Sequence, residues 1–130
     1  MDAQVRRLVV VADDDDAIRL LCRVNLELEG YRVAEAANSR DLERVTTEED
    51  VALVLLDVHL GSEDGIEVAR GLRERHPDVA IAFLSGSVDF GERSAAVSDA
   101  AIRKPFRLEQ FTETVHRLAH RKDRPPPGSP

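Results

Sequence analysis

Three apolar runs of strand length limit what this chain can fold into: RLVVVA at 7–12, VALVLLDV at 51–58 and VAIAFLS at 79–85. A strand with one wet face alternates apolar and polar residues. Runs without that alternation suit strands buried on both faces, as in a parallel sheet. Parallel strands need crossover connections, and helix-patterned segments stand between the runs. Residues 17–29 carry Ile18, Leu21, Cys22 and Leu28. Residues 39–47 form a short helix candidate. Residues 65–75 carry Ile66, Val68, Ala69 and Leu72 and stop before Pro77, and residues 107–121 place Leu108, Phe111, Val115 and Leu118 on one stripe. YRVAEA at 31–36 is a shorter strand candidate after Gly30. The βαβαβαβα order predicts an α/β fold, a doubly wound parallel sheet with helices on both faces. A second stripe on the first helix, Leu20, Val24 and Leu28, is expected to serve core or helix–helix packing.

Composition narrows the function classes. A chain of 130 residues suits one compact domain, and the proline-rich end, DRPPPGSP at 123–130, reads as a flexible tail or the start of a linker. A net charge of −7 argues against direct nucleic-acid binding and is compatible with binding a cation. The lone Cys22 can form no internal disulfide, so a reducing compartment is the simplest setting. No apolar run reaches membrane-spanning length, and MDAQVRRLVV lacks a signal-peptide pattern. A soluble cytoplasmic protein with no membrane contact is expected.

The acids are placed unusually. Asp13 to Asp16 follow the first apolar run directly, and Asp57 closes the third strand. Adjacent carboxylates repel, and burying them is costly. Open α/β sheets bind ligands at the carboxyl edge of their strands. Asp13, Asp14 and Asp57 therefore converge where a hard divalent cation would relieve their repulsion, and Mg²⁺ suits carboxylates plus water. Helix capping is the rival explanation, because acids are favoured at a helix N-terminus. Both hold if Asp13 and Asp14 serve the metal while Asp15 and Asp16 serve the cap and the dipole.

Four stretches, VVVADDDDAIR, LVLLDVHLGSEDGIEV, IAFLSG and IRKPF, carry a family resemblance. The chain resembles the receiver domain of two-component response regulators over residues 5 to about 121, so residues 1–121 are taken as the domain and 122–130 as tail. The resemblance implies a five-stranded, flavodoxin-like parallel sheet. It also implies phosphorylation of Asp57 by a sensor histidine kinase or phosphotransfer protein, in a reaction dependent on Mg²⁺ held by Asp13, Asp14, Asp57 and the main-chain carbonyl of His59. Lys104 would contact the phosphoryl oxygens, Ser85 would hydrogen-bond the group once present, and Lys104–Pro105 would be cis. Such a domain supports only its own phosphotransfer and dephosphorylation, and signals to an output domain, a protein partner or a second copy of itself. Helix one commonly contacts the kinase in this family.

The chain also departs from the family. Ala101 stands where an aromatic switch residue is usual, three residues before Lys104, with Phe90 and Phe106 as neighbouring rings. Gly61 stands where proline is usual. The segment from Ser85 to Lys104 lacks about one helical turn, so the fourth helix is expected to be short or irregular. These departures support a rival reading, a binding module that keeps the fold and signals without phosphorylation. A haloacid-dehalogenase-like phosphatase would need an aspartate where this chain has His59. A flavin-binding protein would need a hydroxyl-rich phosphate loop where four aspartates stand. His116 and His120, at i and i+4, have a spacing that suits zinc, but no neighbouring acid or cysteine in the sequence completes such a site.

Overall fold

The structure, a computed structural model, describes residues 6–86 and 91–121. The proline-rich tail and Phe90 lie outside the described residues. The elements run β1 (Leu8–Ala12), α1 (Asp16–Leu28), β2 (Arg32–Ala36), α2 (Ser39–Glu48), β3 (Val51–Asp57), β4 (His59–Leu60), β5 (Glu63–Asp64), α3 (Gly65–Arg75), β6 (Ala80–Ser85), α4 (Glu92–Ala95), β7 (Ala100–Arg103) and α5 (Leu108–Ala119). Five strands pair in parallel in the order β2-β1-β3-β6-β7. The two-residue strands β4 and β5 form a separate antiparallel hairpin. This is the doubly wound, flavodoxin-like sheet that the apolar runs and the resemblance predict.

The runs lack alternation because each strand feeds two cores. Val10, Val54, Leu56, Ile81 and Phe83 point to one face, where Leu42 of α2 and Ile66, Ala69 and Leu72 of α3 cover them. Val9, Val11, Leu53, Leu55, Ala82 and Leu84 point to the other, under Cys22 and Leu26 of α1 and Phe111, Val115 and Leu118 of α5. β1 is buried along its whole length, whereas the edge strand β2 is only partly buried. That edge position explains why YRVAEA carries a weaker apolar signal.

The first helix corrects one expectation. Its buried face is Cys22 and Leu26, with Ile18 packed partly against the same core. The stripe expected to pack is in solvent: Leu20 is 50 % exposed, Val24 45 % and Leu28 79 %. Leu21, also expected on the core side, is 48 % exposed, as is Leu108 of α5 at 46 %. Position 26 rather than 28 continues the i, i+4 row from Ile18 through Cys22. The remaining apolar residues form a second face that no described element covers.

Helix α4 is a single turn, Glu92–Ala95, with no side-chain cap. No helix among the described residues is long and apolar enough to cross a membrane.

Candidate functional site

Strand order reverses direction beside β1: the chain passes from β1 to β2 on one side, and from β3 through β6 to β7 on the other. The helices leave opposite faces there, which opens a crevice at the carboxyl ends of β1 and β3. Asp13 and Asp57 stand at those two ends. The amide of Asp13 donates to the Ala36 carbonyl at 3.0 Å, so the ladder with β2 extends one residue beyond β1. That pairing delivers the Asp13 side chain, wholly buried, into the crevice. Its Oδ1 accepts the Asp15 amide at 2.9 Å, and its Oδ2 accepts Lys104 Nζ at 2.7 Å. Asp57, buried at the end of β3, accepts the His59 amide on Oδ1 at 3.0 Å, with its Oδ2 3.6 Å from Lys104 Nζ. Asp14 is exposed at the mouth. Asp13, Asp14 and Asp57 each offer an oxygen, and these three lie within 4.8 Å of one another.

The rest of the four-aspartate run does what helix physics asks. Asp15 is the N-cap of α1, accepting the amides of Ala17 and Ile18 at 2.9 and 3.4 Å, and Asp16 sits in the first turn. The run is thus divided between crevice and cap.

Lys104 arrives from the end of β7, where its amide donates to the Ser85 carbonyl at 2.8 Å and its bond to Pro105 is cis. That hydrogen bond ties the lysine to the end of β6, where Ser85 is itself buried. Asp57, Ser85 and Lys104 are therefore at the carboxyl ends of three adjacent strands, β3, β6 and β7. His59 is exposed on the hairpin, and its amide is spent on Asp57. Behind Asp57 the backbone is crowded. A Cβ on Gly65 would lie 2.1 Å from the Asp57 carbonyl oxygen, so only glycine fits there.

Burial, with the charges of Asp13 and Asp14 added, pushes the Asp57 carboxyl above its ordinary range, against the pull of the His59 amide and Lys104. For Lys104, burial alone would favour the neutral amine. The hydrogen bond and charge of Asp13, with Asp57 behind it, outweigh burial and push its value up. The lysine is thus a fixed cation against a surplus of carboxylate. That surplus of hard oxygen ligands, part buried and part open to water, fits a divalent ion of the Mg²⁺ type. No second nucleophile competes through Cys22, whose thiol burial pushes up to about 12.

Two further residues shape this site: Gly61, already marked as a departure from the resemblance, and Arg19, which the sequence did not single out. Gly61, where proline is usual, has φ +63°, which proline cannot adopt. It opens the turn between β4 and β5, and a Cβ there would sit 4.0 Å from Cβ of Asp14. Arg19 of α1 donates to the Asp13 carbonyl at 2.5 Å and to Glu35 at 3.0 Å.

The ring candidates are settled for the described residues. Ala101 is exposed on β7, and Phe106 stacks on Phe111 with centroids 4.8 Å apart, so Phe106 is held against the α5 core. The histidines form a chain instead of a metal site. Arg7 Nε donates to His120 Nδ1 at 2.9 Å, His120 Nε2 faces the Tyr31 hydroxyl at 3.2 Å, that hydroxyl meets His116 Nδ1, and His116 Nε2 meets Glu29 at 2.8 Å. Every ring nitrogen of the pair has a protein partner. The spacing reflects a polar clasp between α5 and the turn before β2.

A family model for the response regulator receiver domain matches residues 9–116. The chain belongs to that family. The receiver is 34 % identical over 111 residues to the regulatory protein VirG of Agrobacterium fabrum, covering 82 % of this chain and 44 % of VirG. It spans about half the length of the curated relatives it matches. Among solved structures it is similar to a response regulator from Thermotoga maritima, with TM-score 0.81, 31 % identity, and 88 % of this chain and 98 % of that one covered. It is also similar to TrrA from the same organism, solved in complex with Mg²⁺ and a beryllium fluoride, with TM-score 0.79, 29 % identity, and 88 % and 99 % covered.

Proposed function

We propose that this receiver accepts a phosphoryl group on Asp57 from a phosphohistidine of a sensor histidine kinase or phosphotransfer protein, with Mg²⁺ bound at the acidic crevice. The observation that carries the reading is the convergence of Asp13, Asp14 and Asp57 within 4.8 Å, with Lys104 against two of them. Asp14 and Asp57 would hold the ion, Asp13 through water, with the His59 carbonyl as a further ligand. Mg²⁺ there would neutralise charge on the group in transfer. Asp57 supplies the attacking carboxylate oxygen. Lys104 offers an ammonium already aimed into the crevice, and Ser85 a hydroxyl at the adjacent strand end. The chemistry is confined to this chain's own phosphorylation and dephosphorylation.

The domain is taken as residues 1–121, with 122–130 as a proline-rich tail or the start of a linker, and its setting as the cytoplasm. The exposed apolar face of α1, Leu20, Val24 and Leu28, is a surface for the kinase or phosphotransfer partner. The output is a partner protein, an attached domain or a second copy. A phosphorylation-independent binding role draws support from one specific observation, the absence of a switch ring at the exposed Ala101 beside a one-turn α4.

Beryllofluoride, which stands in for the phosphoryl group, tests the proposal through ¹⁹F NMR. A bound resonance should appear only with Mg²⁺, and should be lost in Asp14→Ala at the Mg²⁺ level that saturates wild type. Equal binding by Asp14→Ala, or binding without Mg²⁺, would remove the metal assignment.

A further inference from the structure

We propose that Arg19 is a positioning residue for the acidic site: it fixes the Asp13–Asp14 peptide in the orientation that lets both carboxylates meet the cation. The proposal rests on the receiver reading given above.

Arg19 lies early in α1, yet its side chain is only 12 % exposed. Its Nη1 donates to the Asp13 carbonyl at 2.5 Å, its Nε to Glu35 Oε1 at 3.0 Å, and its Nη2 to Asp16. Glu35, paired with Val11 in the sheet, is gripped from its other oxygen by Arg23 Nη1 at 2.6 Å. One guanidinium therefore ties β2, the β1–α1 loop and α1 together. With it in place, every polar group of Asp13 has a partner: the amide on Ala36, the carbonyl on Arg19, and the carboxylate on the Asp15 amide and Lys104.

The carbonyl matters because the peptide unit is planar. The Asp13 carbonyl shares its plane with the Asp14 amide, so fixing that carbonyl fixes the direction in which Asp14 leaves. The acids at 13, 14 and 57 repel, and a loop free to turn would relax by swinging Asp14 outward. The planar fork of arginine reaches the Asp13 carbonyl and Glu35 at once, which the single ammonium of a lysine cannot reproduce.

Two explanations of Arg19 give opposite signs. As a mere positive charge on the loop that carries the acids, held at the Asp13 carbonyl, its removal would strengthen cation binding. As a positioning residue, its removal weakens binding even when the charge is kept. The test is calorimetric titration of Mg²⁺ into the full chain as wild type, Arg19→Lys, Arg19→Gln and Glu35→Gln, with the thermal midpoint of each taken without metal. The Mg²⁺ Kd should rise by roughly tenfold in both Arg19 variants and less in Glu35→Gln. In phosphoryl uptake from acetyl phosphate, the half-saturating Mg²⁺ concentration should rise by the same factor, with the maximal rate recovered at high Mg²⁺. A merely structural role would lower the midpoint and the maximal rate without that recovery. Glu35→Gln, which keeps the arginine, decides the matter if the Arg19 variants do not fold. Wild-type affinity in all three variants, or tighter binding in Arg19→Gln, overturns the proposal alone. A wild-type chain that takes up no Mg²⁺ overturns the Mg²⁺-dependent phosphoryl-acceptor reading and this proposal with it.

Discussion

Asp57 is held in an environment that disfavours its own charge, and this has a consequence for stability. Burial and the neighbouring acids raise its pKa in the folded chain, so the folded state binds its proton more tightly than the unfolded state does. Stability from this group is therefore present at low pH. It is lost as pH rises from the unfolded value, about 3.9, through the folded one. Asp57→Asn removes the cost of that charge, while Lys104 keeps its bond to Asp13. In metal-free buffer at pH 7 the variant should melt higher than wild type by roughly 4 °C, the shift that about 1 kcal/mol makes in a domain of this size. The gap should close as pH falls towards about 4. Differential scanning calorimetry across that range checks it, and a variant that melts below wild type at pH 7 would contradict the electrostatic account.

Elements differ in how much of them the sequence discloses. The strands at 51–57 and 80–85 were legible because burial on both faces leaves a continuous apolar run. The helix at 65–75 was legible because Ile66, Val68, Ala69 and Leu72 mark an apolar face and Pro77 follows its end, and the structure adds the cap, Asp64, whose side chain accepts the Ile66 amide at 2.9 Å. The solvent face of α1 was not, because periodicity shows that residues share a face without showing which of two apolar faces meets the sheet. The β4–β5 hairpin escaped for another reason: it is two residues a side, and its one local signal is Gly61. With its positive φ, Gly61 at the first turn position has the chemistry of a two-residue hairpin of the II′ kind. Gly61→Ala should cost about 1–2 kcal/mol, the penalty for a Cβ in the left-handed region, read as a lower urea midpoint with unchanged slope. An unchanged midpoint would mean that the turn readily adopts another conformation.

At the scale of the whole molecule, the sheet places the site and the helices cover its two faces. The acids, the serine and the lysine come from segments as far apart as residues 13 and 104, and the parallel order β2-β1-β3-β6-β7 gathers them at one edge. That much followed from counting strand ends. The support behind it did not, because the Arg19–Glu35 pair joins residues 16 apart on different elements. Local patterning carries no trace of such a contact. The region beyond β6 is where the chain differs most from what the resemblance implies: α4 is one turn, uncapped, and joined to α3 through Arg93, which reaches Asp64 at 2.8 Å and Glu67 at 3.4 Å. These are exposed ion pairs, which contribute little to stability, so the segment is anchored chiefly by buried Ser94 and by Val97, which joins the core under α2 and α3.

As proposed, the crevice is a working phosphoryl acceptor whose nucleophile is Asp57. Intact-mass spectrometry after incubation with acetyl phosphate measures it directly, on wild type with and without Mg²⁺ and on Asp57→Asn with Mg²⁺. Wild type should gain the mass of one phosphoryl group with Mg²⁺ and little or none without it, and Asp57→Asn should gain none, because an amide is a poor nucleophile. Undiminished labelling of Asp57→Asn, or a wild type that stays unmodified with Mg²⁺ present, would contradict the account.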